Sequence, residues 1–274
     1  MGKYLLLYET YDAFSAEQES KQYVTTVEPG VAYAEDNQGV FYNKTSAWEY
    51  VDLGLSSGTL WATCNLGASS PEQYGDYYAW GEVETKDVTA YTYDNYRFYP
   101  GNDEDEYTKY NSTDNKMTLD LTDDVANVVM GGEWHMPSRA QLNELTANTT
   151  SSWTTDYNGT GVAGAVFTSN INGNSIFFPA AGGVFDGSAE DQGEWFNVWS
   201  SSRNSNSNNA WNLNGNSDNM NMNNNNRYNG LSVRGVLGAL NVYFLSCTFQ
   251  KNNFYLTYML HFTTQGKRKV EKNM

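Results

Sequence analysis

Apolar and polar residues alternate with a period of two in one part of the chain's second half. Trp211 and Leu213 alternate with Asn, and so do Met220 and Met222. In a strand, this period places the apolar side chains on one face and the amides on the other. The pattern therefore predicts two short, half-buried strands that display amide side chains to solvent. The alternative interpretation is a disordered Asn-rich tract.

The first 46 residues also alternate, here with Tyr, Val and Thr between turn residues. The clearest segments are 23–27 and 39–43. Such alternation, bounded by turn residues, is a strand and hairpin signal. We expect residues 1–46 to form a small β-rich leader or adaptor.

A first short helix is predicted over about 121–129. Thr122 is the expected N-cap, and Asp123 and Asp124 would lie in the first turn, where the helix dipole favours negative charge. The residues around it, over 47–200, contain most of the Trp and Gly and otherwise predict short strands separated by turns.

A second short helix is predicted directly after Pro137. Ser138 is a plausible N-cap, and Gln141 follows three residues later, which is the spacing of a capping box. Leu142 and Leu145 would form the buried stripe of this helix.

Composition and charge narrow the class of protein. The chain has 274 residues, with 16 Lys+Arg against 32 Asp+Glu and a formal net charge of −16. This balance speaks against nucleic acid, because phosphate binding rests on Lys and Arg, and against insertion at anionic membrane surfaces. The 21 Tyr, 12 Phe and 8 Trp, with only 18% charged residues, favour a largely β protein over a helical bundle. At this length we expect one large domain, or one domain with appendages.

The ends of the chain and its cysteines add further expectations. The apolar run near Met1 is too short for a secretory signal, and the segment 235–249 is too short to span a membrane. Cys64 and Cys247 have neither the spacing nor the neighbours of a metal site. They are either two independent thiols or a long-range disulfide. Residues 237–274 form a tail that could add strands, dock a partner or be poorly folded.

Several segments together resemble one bacterial family. They are YVDLGLSSGTLWATCNLGA at 50–68, YGDYYAWGE at 74–82, GGEWHMPS at 131–138, WSSS at 199–202 and NNRYNGLSVR at 225–234. These segments are similar to the major paralogous domain family first named from Fibrobacter succinogenes and common in gut Bacteroidales. The resemblance implies an α+β fold, the C-type lectin fold of the formylglycine-generating-enzyme type, over about 48–236. We accordingly expect a ligand-binding domain at 47–236.

A narrower resemblance concerns the stretch from Trp199 to Arg234, which looks like the variable region of diversity-generating retroelement target proteins. In those systems a reverse transcriptase introduces errors at adenines, and adenine-rich Asn codons can change to many residue types without creating stop codons. The resemblance implies that the scaffold is held by Trp199, Trp211, Leu213, Met220, Met222 and Arg234. It implies a variable ligand-binding face within 203–229, made of Asn204, Asn206, Asn208, Asn209, Asn212, Asn214, Asn216, Asn219, Asn221, Asn223, Asn224, Asn225, Asn226, Tyr228 and Asn229. The tail after Gly235 and the glycine at 215 depart from the family pattern.

The predicted face is nearly neutral on an acidic body. Its only cations are Arg203 and Arg227, and its only anion is Asp218. Tyr, Ser, Asn and Gly are the residues that binding surfaces favour, because aromatic area costs little entropy and amides adapt their hydrogen bonds. If the amides face solvent, we expect Asn214→Ala and Asn221→Ala to leave thermal stability nearly unchanged.

Candidate catalytic chemistry is sparse. The cysteine pair of the enzymes that share the implied fold is not matched by Cys64 and Cys247, and no nucleophile elbow, P-loop, zinc-protease or dinucleotide motif is present. His135 stands before a predicted helix, where a packing role is the commoner one, and His261 has no identifiable partner. The acidic run 103–106 is interpreted as a solvated loop.

A metal site is not assigned, and no cofactor is expected. Should a structural ion bind, the preferred place for Ca²⁺ is the acidic loop of Asp186, Glu190, Asp191 and Glu194, because Gly187 and Gly193 would let carbonyls turn inward.

The sequence thus predicts a non-enzymatic protein that binds a cell-surface protein or glycan through the Asn-rich face. It would be located on a phage virion, as a tail-tip or receptor-binding protein, or on a bacterial cell surface. The alternative is a fixed cell-surface module of the same family, which binds carbohydrate or serves a structural role.

Overall fold

The chain is described from a computed structural model that covers residues 48–102 and 106–238 in full. It also describes the backbone of four strands outside these ranges: β1 (Ala32–Glu35), β2 (Phe41–Lys44), β15 (Leu245–Lys251) and β16 (Phe254–Leu260). By its internal contacts the chain divides into two units, Trp48–Gly238 and the combined segments Met1–Ala47 and Ala239–Met274. The sequence predicted a domain over 47–236, so each observed boundary lies one or two residues later in the chain.

The unit formed by the two chain ends contains two hairpins. Strands β1 and β2 pair antiparallel, with Ala32 opposite Lys44. Strands β15 and β16 pair antiparallel, with Leu245 opposite Leu260. The alternating segment at 39–43 thus overlaps a strand, whereas the segment at 23–27 lies outside the described residues. Both strands of this second hairpin, β15 and β16, lie in the segment 237–274.

The unit Trp48–Gly238 is built from small antiparallel sheets, which confirms a strand-rich α+β fold. One sheet has the order β3-β4-β14-β5, from strands β3 (Tyr50–Asp52), β4 (Leu60–Ala62), β5 (Trp134–His135) and β14 (Val236–Leu237). Its strand β14 comes from the end of the unit and lies between β4 and β5, so the two ends of the unit meet in one sheet.

Three further sheets complete this unit. One has the order β6-β7-β8, from β6 (Thr149–Thr154), β7 (Gly164–Ser169) and β8 (Ser175–Pro179). A hairpin joins β9 (Gly183–Phe185) and β10 (Ser188–Glu190). The third has the order β11-β12-β13, from β11 (Phe196–Arg203), β12 (Asn209–Gly215) and β13 (Met220–Asn226). Strands β12 and β13 confirm the two strands predicted for the Asn-rich tract.

The two predicted helices both occur, but the first begins later than predicted. Helix α1 is Val125–Met130, and its N-cap is Asp124, whose side chain accepts a hydrogen bond from the Asn127 amide. The N-cap assignment of Thr122 was therefore wrong. Asp124 has a second role that no local pattern reveals, since its carboxylate also accepts the amide of Met136 at 2.8 Å.

Helix α2 (Arg139–Asn148) confirms the second prediction in detail. Ser138 is the N-cap, and both hydrogen bonds of a capping box with Gln141 are present. Leu142 and Leu145 are fully buried, as predicted. Two single 3₁₀ turns, Val88–Ala90 and Tyr157–Gly159, complete the helical elements of the described residues.

The core of this unit has two apolar clusters, and the β11-β12-β13 sheet contributes to both. Trp199 and Ala210 belong to one cluster, whereas Phe196, Val198 and Leu213 belong to the other. Because alternate residues of a strand point to opposite faces, both faces of this sheet are packed over part of their area. This arrangement decides which amides reach solvent.

Glycine at 215 has a packing reason. A β-carbon there would lie 2.6 Å from Cγ of Met220 and 2.7 Å from Cε1 of Phe196. No side chain fits at that separation, so the end of β12 requires glycine.

Within the described residues, none of the helices is long and apolar enough to cross a membrane.

Candidate functional site

The register of the β11-β12-β13 sheet arranges six amide side chains on one face. Asn197 lies opposite Asn214, and Asn214 lies opposite Asn221. In the next row Asn212 lies opposite Asn223, and Asn225 lies opposite Ala210 in the row after that. We call the six amide residues on this face the amide patch: Asn197, Asn212, Asn214, Asn221, Asn223 and Asn225.

The amides of the patch are buried on β11 and β12 and more exposed on β13. Asn197, Asn212 and Asn214 are buried, with exposed fractions of 4%, 0% and 8%. On β13, Asn221 and Asn223 are exposed, whereas Asn225 is half-buried. The predicted display of amides to solvent is thus confirmed on β13 and wrong on β12. The reason is that β12 is the central strand of a sheet that is packed on both faces.

The buried part of the amide patch is linked by long hydrogen bonds. Asn212 donates from Nδ2 to Oδ1 of Asn197 at 3.4 Å, and Asn225 donates from Nδ2 to Oδ1 of Asn212 at 3.5 Å. Asn197 donates in turn to the carbonyl of Gly182 at 3.2 Å. Oδ1 of Asn214 is buried without a hydrogen-bond partner in the described structure. The floor of the patch therefore keeps one free acceptor.

Three of the predicted contact residues instead form turns with their side chains. Oδ1 of Asn204 accepts the amide of Asn206 at 3.0 Å, and Oδ1 of Asn206 accepts the amide of Asn208 at 3.0 Å. Oδ1 of Asn216 accepts the amide of Asn219 at 2.9 Å in the hairpin between β12 and β13. Asn side chains favour such turns because they imitate a backbone carbonyl. Asn204 is also buried, so its predicted exposure was wrong.

Three other predicted contact residues lie on the opposite face from the amide patch. Asn209, Asn224 and Asn226 share the face of Trp211 and Leu213 by register, and all three are half-buried. Asn209 and Asn224 are hydrogen-bonded through their side chains at 2.5 Å. The prediction of one common amide face was wrong for these residues, because the alternation ends in a run of four Asn that necessarily covers both faces.

The predicted scaffold residues hold the sheet as expected in most positions. Trp199 and Leu213 are fully buried, and Met220 and Met222 are half-buried against the second core cluster. Nε1 of Trp199 donates to the carbonyl of Tyr78 at 2.8 Å. Trp211 is half-buried on the surface.

Arg139, the first residue of α2, covers the indole of Trp211. The Arg139 guanidinium lies 3.6 Å from the ring centroid. A stacked cation of this kind stabilises by roughly 0.5–1 kcal/mol at an exposed site.

Both predicted surface cations are inside the protein. Arg203 has an exposed fraction of 7%, and Arg227 is fully buried. The expectation that they balance Asp218 on the surface was therefore wrong. Arg203 is the only charged residue in the three strands. Because its side chain is buried, the surface of the sheet is uncharged.

Arg227 is held by polar atoms and aromatic faces, without a carboxylate among the ion pairs of the described residues. It donates to the phenol oxygen of Tyr96 at 3.0 Å and to the carbonyls of Ser207 and Lys109, each at 3.0 Å. Its guanidinium lies 4.6 Å from the ring centroid of Tyr107 and 4.8 Å from that of Trp80. The residue fixes the chain directly after β13.

Arg234, a predicted scaffold residue, lies inside the protein. Its side chain is fully buried and donates to Oδ1 of Asn65 at 2.8 Å and to the carbonyls of Thr63 and Phe177 at 2.7 and 3.0 Å. The last segment of the family resemblance is thereby tied to the first.

The last two predicted contact residues, Tyr228 and Asn229, are less exposed than expected. Tyr228 is half-buried, with its ring 5.9 Å from that of Tyr93, and its hydroxyl accepts Nδ2 of Asn226 at 2.9 Å. Burial, followed by the nearby carboxylate of Asp186, raises the pKa of Tyr228. Asn229 is buried, with an exposed fraction of 4%.

The acidic loop does not assemble a metal site. Asp186, Glu190, Asp191 and Glu194 are all exposed. Asp186 and Gly187 have φ of 46° and 80° and form the two-residue turn between β9 and β10, which requires positive φ. In the part of the chain that the structure describes, no three His, Cys, Asp or Glu side chains are grouped to hold an ion.

The remaining candidates from the sequence have ordinary surroundings or lie outside the described residues. Nδ1 of His135 lies 2.9 Å from the carbonyl of Glu133. Cys64 is a free, half-buried thiol. The side chain of Cys247, the run 103–105 and His261 lie outside the described residues.

Comparison with protein-family models, with curated proteins and with solved structures found no match. One residue of the amide patch, Asn197, lies outside the tract singled out from the sequence. The sequence pattern that could have identified Asn197 is its position between Phe196 and Val198, where the period-two alternation also occurs on β11.

The amide patch provides a direct comparison between two register partners, Asn212 and Asn223. We expect Asn212→Ala to lower the free energy of unfolding by about 1–3 kcal/mol, because the substitution leaves the buried amide of Asn197 and the half-buried amide of Asn225 without their partner. Asn223→Ala, on the same face but exposed, should change it by no more than about 0.5 kcal/mol. Urea unfolding of both variants measures the difference. Equal losses would mean that the graded burial of the amide patch is incorrect.

Proposed function

We propose that this protein is a non-enzymatic ligand-binding protein and that its binding surface is the outer part of the amide patch together with the exposed amides of the two loops that adjoin β12. The observation that carries the proposal is that alternate side chains of β13 face solvent and the core. Asn221 and Asn223 face solvent, while Met220 and Met222, which alternate with them, pack against the core. Exposed side chains on a strand whose alternate residues are anchored can change without changing the backbone.

The exposed amides form a surface suited to an uncharged, polar contact. Asn221 and Asn223 present both a donor and an acceptor, as every amide side chain does. Asn206 and Asn208 lie exposed in the loop before β12, and Asn219 in the loop after it. These five residues are the contact set of the proposal. They are a subset of the face predicted from the sequence, since its buried and half-buried residues are left out.

The family assignment is also a proposal. We infer a C-type-lectin-like fold of the formylglycine-generating-enzyme type, in the major paralogous domain family, with Asn codons diversified by a retroelement. In support, segments that carry the resemblance pack on one another. The backbone amide of Trp80 donates a hydrogen bond to the carbonyl of Arg227 at 2.8 Å. The backbone amide of Tyr78 donates one to the carbonyl of Leu231 at 3.0 Å. The ligand would be a cell-surface protein or glycan, bound from a phage tail or from a bacterial surface.

A fixed surface module of the same family is the second candidate, and one observation favours it. Asn204, Asn206 and Asn216 use their side chains to form turns, and Asn212 is buried, so several amides serve the fold rather than a ligand. A fixed module would keep all of these residues.

Sequencing the 3′ part of the gene across a population of the source organism or phage distinguishes the two candidates. A diversified binding face predicts substitutions concentrated at the five exposed codons, those of Asn206, Asn208, Asn219, Asn221 and Asn223. Trp199, Leu213 and the buried Asn212 should stay constant. Invariance of the five exposed codons would remove the support for diversification and leave the fixed module as the better proposal.

A further inference from the structure

Among the described residues, none forms a backbone hydrogen bond with the outer edge of β13 along Met220–Asn225. The strand is the last in the order β11-β12-β13, and the backbone hydrogen bonds of the described residues connect Met220–Asn225 to β12 alone. The outward-pointing N–H and C=O groups of such an edge can pair with another strand. We propose that β13 is the seam of a homodimer, in which β13 of a second copy of this chain pairs with it antiparallel.

Most other sheet edges of the same unit carry a feature that blocks such pairing, and β13 carries none. Strand β3 is three residues long and ends in Asp52, and β8 ends in Pro179. The outer edge of β11 is occupied by a bridge from Val198 to Ser232, and the strand has a register shift. Natural edges are protected by short length, charge, proline or bulges. Strand β13 has seven residues without charge or proline.

The sequence of β13 is complementary to itself. Antiparallel pairing centred on Asn223 places Asn223 opposite its own copy, Asn221 opposite Asn225 of the second copy, and Met222 opposite Asn224 of the second copy. Every pair on the face of the amide patch is then Asn with Asn. Amide side chains stacked across strands form hydrogen-bonded ladders, and directly opposed side chains are the unit of sheet stabilisation.

Charge favours this seam over other places of self-association. Each copy carries a formal net charge of −16, so two copies repel over most of their surface. The seam brings no charged side chain of β13 near another, and the repulsion that remains is long-ranged and screened by salt. The dimer should therefore tighten as the salt concentration rises. The side chains of Asn221 and Asn223 would still lie on the sheet face, so the two exposed surfaces would become one.

The sedimentation of the full chain without ligand tests the seam. We expect a species of twice the monomer mass that increases with protein and salt concentration. Asn223→Lys should weaken the dimer by about tenfold or more, because the two lysines would face each other across the seam. Asn223→Ser, which adds no charge, should keep it. Ser152→Lys, on the exposed and uncharged edge strand β6, is the matched control and should have no effect.

A charge-reversal pair separates loss of the seam from loss of the fold. Asn223→Lys and Asn223→Asp should each dimerise about tenfold or more weakly than the wild type when alone, and their mixture should form a tighter heterodimer, because opposite charges then meet at the centre of the seam. Wild-type protein that stays monomeric at all concentrations would overturn the proposal, and so would a mixture that forms no heterodimer. The proposed ligand-binding function is unaffected by either result, since it concerns the side chains of one copy.

Discussion

Replacement of Arg227 is expected to cost more stability than any other single change in the Asn-rich tract. In Arg227→Met, the carbonyls of Ser207 and Lys109 and the hydroxyl of Tyr96 lose a buried donor. Each unsatisfied buried group costs about 1–3 kcal/mol, so we expect a total loss of about 4 kcal/mol or more. That is a large part of the roughly 5–15 kcal/mol by which domains are stable.

Two further variants identify the cause of this loss. Arg227→Lys keeps the charge but cannot reproduce the planar, five-donor geometry, so it should lose nearly as much as Arg227→Met. Arg139→Met removes the exposed arginine that lies on Trp211 and should cost no more than about 1 kcal/mol. Chemical unfolding of the three variants measures these differences. A loss at Arg227 as small as that at Arg139 would show that the guanidinium is not needed inside the protein.

Alkaline pH is expected to unfold the protein cooperatively, between about pH 11 and pH 12. Burial is the first cause that raises the pKa of seven tyrosines: Tyr77, Tyr78, Tyr91, Tyr96, Tyr107, Tyr110 and Tyr228. For Tyr91 and Tyr110 the pKa rises from 10.0 to about 12. These phenols keep their protons in the folded state at a pH at which the unfolded chain has lost them.

The sign of the pH dependence follows from this difference. The stability that the seven tyrosines contribute is fully present below pH 10 and is lost as the pH rises through their folded pKa values. Burial lowers the pKa of Arg234 to about 9, and a lowered pKa of a cation makes stability rise with pH over the same range. Because one arginine opposes seven tyrosines, the free energy of unfolding still falls as the pH rises.

Two signals recorded together in one pH titration check the expectation. The part of the absorbance of ionised tyrosine that appears between about pH 11 and pH 12 should change in the same transition as the far-ultraviolet circular dichroism, because these seven phenols ionise when the fold opens. A gradual ionisation of all tyrosines near pH 10 with unchanged circular dichroism would contradict the burial of the tyrosine cluster.

The two helices show how far local sequence carries a prediction. The second was predicted with its N-cap, its capping box and its buried leucines, because all of these interactions lie within eight residues of one another. The first was displaced, because Thr122, Asp123 and Asp124 are all acceptable caps by local criteria. Asp124 is selected by the distant amide of Met136, whose partner is visible only in the folded chain.

The candidate site divides in the same way. The sequence by itself determined that 209–226 forms two strands, that Leu213 is buried and that Asn221 and Asn223 are on the surface, since a period of two is enough for each. Only the tertiary structure decided that Asn212 and Asn214 are buried and that Arg227 is surrounded by aromatic rings. The physical reason is that periodicity assigns a side chain to a face of its strand, whereas the packing of other elements on that face decides whether water reaches it.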